Sequence, residues 1–125
     1  RGYDLVLLGT NGPTTIDIDS MNVRMGNPAH SRAIESLREV GFGSSIDLFG
    51  TFAAQGSDLT SWLKDAQINR DVDLRLQYIA GLGNNSYENG QIYDGILRAR
   101  KYPEKLFVAK EEWKNALATA LGVSR

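Results

Sequence analysis

The chain of 125 residues contains no cysteine and a single histidine, His30. Without cysteine it can form neither disulfide bonds nor thiolate zinc sites, and it has no cysteine nucleophile. One histidine also excludes a metal site built from several histidines. We favour a surface position for His30, on the first turn of a helix, over a catalytic role. The absence of cysteine fits a reducing compartment, and we expect a cytoplasmic location.

The sequence also lacks a strong charge of either sign and a long apolar run. Its 14 basic and 15 acidic residues give a net charge of -1, which provides no electrostatic signature of a nucleic-acid partner. No apolar run approaches the roughly 18 residues that a membrane span needs. We therefore expect neither nucleic-acid binding nor membrane insertion by this segment. A hydrophobic content of 42% predicts one ordered domain over residues 1–125.

The first 19 residues have the pattern of a β-hairpin. Residues 3–8 form a short apolar run typical of a buried strand, and residues 14–19 alternate between apolar and polar side chains. The intervening Asn11-Gly12-Pro13 is turn-forming sequence. We predict two antiparallel strands, whose open edge a second copy of the chain would cover in a homodimer.

Helical periodicity dominates from residue 27 onwards. Asn27 and Pro28 predict the start of a helix that Gly41 ends. Two further helices are predicted, one from Ser45 to Gly56 and one over residues 57–66. Two longer helices are predicted over residues 86–102 and 110–121.

Between these helices, Leu74, Leu76 and Tyr78 alternate with polar residues. This spacing predicts one further strand, although Leu74, Tyr78 and Leu82 would also suit one face of a helix. The complete pattern predicts an α+β fold: an N-terminal β-hairpin followed by a mainly helical domain with one further strand.

The densest polar cluster of the chain precedes this strand and consists of Asn69, Arg70, Asp71, Asp73 and Arg75. Short Asn and Asp side chains order turns by accepting hydrogen bonds from nearby backbone amides, and arginines bind anions. We favour an ordered polar turn, capped by Asn69 or Asp71, over a ligand contact made by Asn69, Arg70, Asp71 and Arg75. The ligand contact remains an alternative.

Two weaker patterns favour structural roles. Asp17 and Asp19 lie on the same side of the second predicted strand, where a solvated face and a helix cap are favoured over acid–base or metal chemistry. Gly81-Leu82-Gly83 lacks the third glycine of a dinucleotide-binding loop, and it is interpreted as a plain turn. The sequence therefore predicts no catalytic, cofactor-binding or metal-ligating residue and no cofactor in this chain.

Several segments nevertheless resemble polyamine aminopropyltransferase-like proteins, the relatives of spermidine synthase. "YDLVLLG" is similar to the penultimate strand of their Rossmann-like sheet, and "TTIDID" is similar to the last strand. "SLREVGFGSSIDLFGTF", "INRDVDLRLQYIAGLG" and "IYDGILRARKYPEKLF" resemble the helical region, the closing motif and the terminal extension of members that are fused to a membrane domain.

The resemblance implies a C-terminal region of a spermidine synthase-like protein. In that family the sheet binds decarboxylated S-adenosylmethionine, and the enzyme transfers its aminopropyl group to putrescine. The glycine-rich nucleotide loop, the acidic ribose-binding residue and the catalytic aspartate belong upstream and have no match here. Arg70 and Leu74 stand where many relatives have Thr or Ser and Pro. No catalytic residue can be carried over.

Two functions therefore remain as expectations. The first is a non-catalytic accessory region that contacts the upstream catalytic domain of a longer parent protein, either soluble or attached to a membrane. Because the chain starts at Arg1 rather than at a methionine, we expect such a fragment, in which residues 1–19 complete the sheet and residues 20–125 form a helical extension. The alternative is a free-standing helical module for protein interaction or oligomerisation.

Overall fold

The computed structural model of the chain describes residues 4–74, 77–78 and 88–125. It shows a mixed α+β fold, as the sequence predicts. In chain order, the elements assigned in this part of the chain are β1 (Ile16–Asp17), α1 (Ile18–Met25), a 3₁₀ turn (Pro28–His30), α2 (Ser31–Glu39), α3 (Ser45–Phe49), α4 (Asn89–Ala99), β2 (Phe107–Val108) and α5 (Glu111–Leu121).

The sheet pairs segments that are distant in sequence. Strand β1 lies parallel to β2, with Ile16 opposite Phe107, and the Ile16 N–H donates to the Leu106 carbonyl at 2.7 Å. This pairing differs from the predicted hairpin, because residues 4–8 form no strand and are exposed. Residues 4–8 therefore have no paired strand, whereas β1 pairs with β2, which carries the buried Phe107.

Helix α1 begins inside the segment whose alternation predicts a strand. The Asp17 carboxylate accepts a hydrogen bond from the Ser20 N–H at 2.9 Å and one from the Ser20 hydroxyl at 2.8 Å. These bonds cap the helix and stop the strand after two residues. Alternation of apolar and polar residues over six positions therefore does not show whether the strand continues or ends early at a helix cap.

The helix predicted between Asn27 and Gly41 is confirmed as α2, although α2 itself spans only Ser31–Glu39 and a 3₁₀ turn precedes it. The Asn27 side chain accepts from the Ala29 N–H at 2.9 Å, and Pro28 opens the 3₁₀ turn that leads into α2. At the other end, Gly41 has φ +94°, and the Phe42 N–H donates to the Leu37 carbonyl at 2.8 Å. Glycine adopts such a left-handed conformation without the steric cost of a Cβ atom.

Helix α3 begins as predicted but ends at Phe49 rather than near Gly56. Ser44 caps it, accepting from the Asp47 N–H at 3.1 Å. The chain then turns so that Phe49 and Phe52 both contact Phe107, with ring centroids 5.2 Å and 5.8 Å apart. The buried ring of Phe107 therefore decides the course of residues 50–54.

The helix predicted over residues 57–66 is replaced by turns. Its bonds are of mixed spacing: the Leu63 N–H donates to the Leu59 carbonyl, but the Ala66 N–H donates to the Leu63 carbonyl. Residues 60–74 are exposed throughout. A short helix is marginal in water unless packing supports it, and these residues have little support.

The strand predicted over residues 74–78 is also not found where the structure describes it. Leu74 has φ +43°, which is incompatible with an extended strand, and residues 77–78 are helical. Residues 75–76 lie outside the described residues.

The two C-terminal helices are confirmed with shifted ends. Helix α4 ends at Ala99, because Arg100 is extended and Pro103 follows. Helix α5 carries Glu111 and Glu112 in its first turn and ends at Gly122, which is left-handed with φ +67°. Residues 86–87 of the predicted α4 lie outside the described residues.

The core lies between the sheet, α1, α3 and α5. Its buried members are Ile18, Tyr102, Phe107, Leu117, Ala118 and Leu121. Each large apolar side chain that is removed from water contributes roughly 1.5–3 kcal/mol. Residues from both halves of the chain meet here, so β2 and α5 hold the N-terminal elements in place.

Among the described helices, none is long and apolar enough to cross a membrane.

Candidate functional site

The predicted polar turn is present, and the Asp73 side chain caps one of its backbone amides. The Asp73 carboxylate accepts from the Arg70 N–H at 3.1 Å, and the Arg70 carbonyl accepts from the N–H groups of Asp73 and Leu74 at 3.1 Å and 3.0 Å. The side chain of Asp71 is exposed. Arg75 lies outside the described residues. Asp73 thus caps an amide three residues before it, and capping by Asn69 or Asp71 stays a prediction.

This turn lies on the protein surface. Arg70 and Asp71 are exposed, and so are the other residues from 60 to 74. A site that binds a small ligand tightly is normally concave and removes much of the ligand from water. The geometry of the described residues therefore favours an ordered turn, and ligand contact by Asn69, Arg70, Asp71 and Arg75 stays a prediction.

Asp17 and Asp19, the paired carboxylates, have separate structural partners. Besides capping α1, the Asp17 carboxylate has a pKa below its ordinary value, mainly because it accepts hydrogen bonds from the Ser20 amide and hydroxyl. The Asp19 carboxylate accepts from the Lys110 N–H at 2.9 Å. It thereby joins α1 to the residue that precedes α5. The favoured interpretation of Asp17 as a cap is confirmed.

An ionic cluster that the sequence did not predict surrounds Arg125. Its Nη1 donates to Glu111 Oε2 at 2.6 Å and to Asn115 Oδ1 at 3.0 Å, and its Nε lies 3.4 Å from Glu104 Oε1. The guanidinium stands 5.3 Å from the centre of the Tyr102 ring, within range of a cation–π contact. The chain changes direction at the left-handed Gly122 after α5, and Arg125 therefore lies close to Glu111 and Asn115.

Electrostatics within this cluster follow from its hydrogen bonds. The bond from Arg125, followed by that from Lys114, lowers the pKa of Glu111 to about 2. In return, the hydrogen bond to Glu111 raises the pKa of Arg125. Burial is the main cause of a raised pKa for Tyr102, whose hydroxyl finds no hydrogen-bond partner among the described residues.

An open cavity of about 400 Å³ lies beside this cluster. Its lining includes Asn115, Thr119, Gly122 and Arg125. Arg125 is the cation that could attract an anion here, but Glu111 and Glu104 already compensate its charge. The cavity is thus poorly suited to a phosphate or carboxylate group. In the described part of the chain, no group of three or more His, Asp or Glu residues could hold a metal ion.

Two further polar contacts join distant segments inside the fold. The buried Ser45 hydroxyl donates to Asn22 Oδ1, which ties α3 to α1. Arg100 Nη1 donates to the Phe52 carbonyl at 3.1 Å. These pairs are separated by 23 and 48 residues, so no local sequence pattern signals them. Both contacts hold elements together.

Two predicted features remain, and the structure describes one of them. His30 is exposed at the end of the 3₁₀ turn, as expected. Gly81-Leu82-Gly83 lies outside the described residues.

The most unusual surface is the run at residues 5–8, which we call the apolar arm. Leu5, Val6, Leu7 and Leu8 are 48%, 80%, 92% and 88% exposed. Single exposed apolar residues are common on proteins, but contiguous exposed apolar surface marks an interaction site. The arm leads through a turn, in which the Thr10 hydroxyl donates to the Gly12 carbonyl at 2.9 Å, to β1.

The sheet is small in the part of the chain that the structure describes, with only β1 and β2, each two residues long. Parallel sheets are normally larger and covered on both faces. The outer edges of β1 and β2 have no further strand beside them among the described residues.

Comparison of the chain with protein-family models, with curated proteins and with solved structures gives no match in any of the three. Function is therefore argued from the residues and their geometry.

Proposed function

We propose that this chain is a non-catalytic accessory region of a spermidine synthase-like aminopropyltransferase, which docks on the catalytic domain of its parent protein through the apolar arm. The observation that carries the proposal is the exposure of residues 5–8, which precede in the chain a parallel sheet that has two strands in the described residues. The resemblance of "YDLVLLG" to a strand of the family's sheet supplies the identity of the partner.

Burial of the arm supplies the driving force for docking. Its four side chains are those of Leu and Val, and each contributes roughly 1.5–3 kcal/mol when it is fully removed from water. Pairing with a sheet edge would in addition satisfy the backbone groups of the arm. Upstream, that sheet would hold decarboxylated S-adenosylmethionine, and the reaction would occur there. A cytoplasmic location, with a parent that is soluble or attached to a membrane, is part of the same proposal.

The decisive test compares lysine substitutions of two highly exposed valines, Val6 and Val72. Val6→Lys places a charge in the arm, and Val72→Lys places one in the exposed turns at a residue that is 90% exposed. Neither side chain contributes to the core, so both variants should melt like the wild type. We expect Val6→Lys to abolish binding to the catalytic domain encoded upstream in the same reading frame, and Val72→Lys to leave it intact.

Three results would contradict the proposal. The first is a reading frame upstream of Arg1 that does not encode a strand, a glycine-rich loop and a helix. The second is a Val6→Lys variant that binds the catalytic domain as tightly as the wild type. The third is transfer of an aminopropyl group to putrescine by the purified chain itself. The first result would remove the docking partner, the second would exclude the apolar arm as the docking surface, and the third would make the chain an enzyme.

A specific observation also favours the second candidate function, a helical module for protein interaction or oligomerisation. Trp62, Leu63, Ile68 and Val72 are 45%, 41%, 72% and 90% exposed in one continuous segment. On this alternative, Val72→Lys rather than Val6→Lys would weaken association. Sedimentation of both variants separates the two surfaces, and a homodimer that only Val72→Lys disrupts would favour the module.

A further inference from the structure

The turn at Asn11-Gly12 combines a reactive dipeptide with an open backbone. Residues 9–15 are exposed, and Gly12 has φ +122°. No atom lies within 4 Å of the position where a Cβ atom of Gly12 would stand. Among the residues that the structure describes, none accepts a hydrogen bond from the Gly12 N–H. The backbone nitrogen that follows Asn11 is therefore accessible to water and base.

We propose that Asn11 is a site of spontaneous deamidation. After loss of its proton to water or hydroxide, the Gly12 nitrogen attacks Cγ of the Asn11 side chain. A new N–Cγ bond forms, the bond from Cγ to the carboxamide nitrogen breaks, and that nitrogen leaves as ammonia. Water then opens the resulting succinimide at either carbonyl, which gives aspartate or isoaspartate. The reaction requires water as its only co-reactant and involves no oxidation or reduction.

Local conformation decides whether this ring can form, because the nitrogen must approach Cγ with its lone pair. Glycine has no Cβ atom to hinder the approach, and it permits more backbone rotation than any other residue. The observed φ of +122° shows that the turn at Gly12 already uses this freedom. The one hydrogen bond recorded in this turn, from the Thr10 hydroxyl, goes to the carbonyl of Gly12 and leaves its nitrogen free.

The chain contains a second Asn-Gly pair, Asn89-Gly90, in a different setting. It lies in the first turn of α4, and the Gly90 N–H donates to Asn89 Oδ1 at 3.0 Å. The proton of the amide, rather than the lone pair, thus faces the carboxamide. Helical dihedral angles also hold the nitrogen in place until the turn opens. Asn89 is therefore a matched internal control with the same chemistry.

Deamidation of Asn11 would change the properties of the segment between the apolar arm and β1. Either product adds one negative charge three residues after Leu8, and isoaspartate also inserts an extra backbone carbon into the turn. The inference itself is independent of the proposed docking, since it depends only on the turn.

The test follows both asparagines in the folded chain over time at neutral pH and 37 °C. Peptide mapping by mass spectrometry detects the gain of about one dalton and assigns it to Asn11 or Asn89. We expect products at Asn11 to accumulate at least about tenfold faster than at Asn89, since the helical pair must first open. Asn11→Gln should abolish the gain in its peptide, because its longer side chain closes a ring far more slowly.

Concentrated guanidinium provides the second measurement. Unfolding removes the difference in conformation, so the two asparagines should react at similar rates there. The proposal fails if Asn89 reacts as fast as Asn11 in the folded chain. It also fails if Asn11 stays intact for a period in which the unfolded chain has reacted.

Discussion

Residues 111–121 and residues 57–66 carry similar apolar patterns, but only the first segment forms a helix. Trp113, Leu117 and Leu121 pack into or against the core, where Leu117 and Leu121 are fully buried. In the second segment, Trp62 and Leu63 stay partly exposed, and the backbone makes turns. The comparison shows that helical spacing predicts which face could be buried, and that a partner surface decides whether the helix forms.

The two segments also differ in what stabilises them: α5 has helix-end signals, whereas residues 57–66 have a contact with α4. Helix α5 has two acidic residues in its first turn, where they interact favourably with the helix dipole, and a left-handed glycine after its last turn. Trp62 instead rests on α4 at Gly95, where a Cβ atom would lie only 2.9 Å from Trp62 Nε1. The indole therefore lies close to the backbone of α4, while residues 60–74 stay exposed.

The largest expected effect comes from the ring that joins the two halves of the core. Phe107→Ala should lower the free energy of unfolding by about 3–5 kcal/mol, since the residue is 2% exposed and contacts both Phe49 and Phe52. Leu63→Ala, in the exposed turns, should change it by less than about 1 kcal/mol. Urea denaturation measures both. Equal losses would mean that residues 57–66 belong to the core.

A smaller effect is expected at the glycine that ends α5. Gly122→Ala should cost about 1–2 kcal/mol, because an alanine at φ +67° places its Cβ atom close to the following carbonyl. Gly56→Ala, in the turns, is the control: no atom lies within 4 Å of its added Cβ atom, and its φ is not positive. The melting temperature of Gly122→Ala should therefore be lower than that of Gly56→Ala. A lower melting temperature for Gly56→Ala alone would contradict this expectation.

The polar turn provides a finer test within the exposed region. Asp73→Ala removes the carboxylate that caps the Arg70 amide and should cost about 0.5–1 kcal/mol. Asp71→Ala should cost less than that, whereas a loss on the order of 1 kcal/mol at Asp71 would show the capping role that the sequence predicts for Asn69 or Asp71. Melts are compared with and without putrescine or S-adenosyl compounds. A ligand-dependent shift that Asp71→Ala or Arg70→Ala removes would show a binding site in place of a turn.

The smallest effect is a pH dependence at the Arg125 cluster. The pKa of Glu111 is about 2 in the folded chain, against an ordinary value of 4.5. A lowered pKa stabilises the fold above the unfolded value, and this stabilisation is lost as the pH falls from about 4.5 to about 2. Glu111→Gln should thus be less stable than the wild type at pH 6, and the difference should shrink below pH 4.5.

A difference that persists unchanged at pH 2 would mean that the carboxylate charge of Glu111 is not its source. Glu112→Gln is the matched control, because Glu112 neighbours Glu111 in the same helical turn and is likewise exposed. High salt should reduce the effect of Glu111→Gln, since the pair is at the surface.

Local chemistry explains the parts of the fold that the sequence predicted. Asn27 with Pro28, Gly41, and the two glutamates before Trp113 act within one helical turn, so their roles are visible without a structure. The polar turn at Arg70 and Asp73 was also predicted, but several short polar residues compete there, and composition alone did not choose Asp73.

By itself, the sequence determined helices α2, α4 and α5 and several of their caps, because these features depend on neighbours within a few residues. It also predicted the mixed α+β class, although the strand pairing that it predicted is not the one observed. Tertiary structure alone decided that β1 pairs with β2, that Phe49 and Phe52 meet Phe107, and that Arg125 joins Glu111 and Glu104. It also decided that the apolar arm is exposed. Burial and long-range pairing depend on which surfaces meet, and residues nearly a hundred positions apart carry no local pattern that announces their contact.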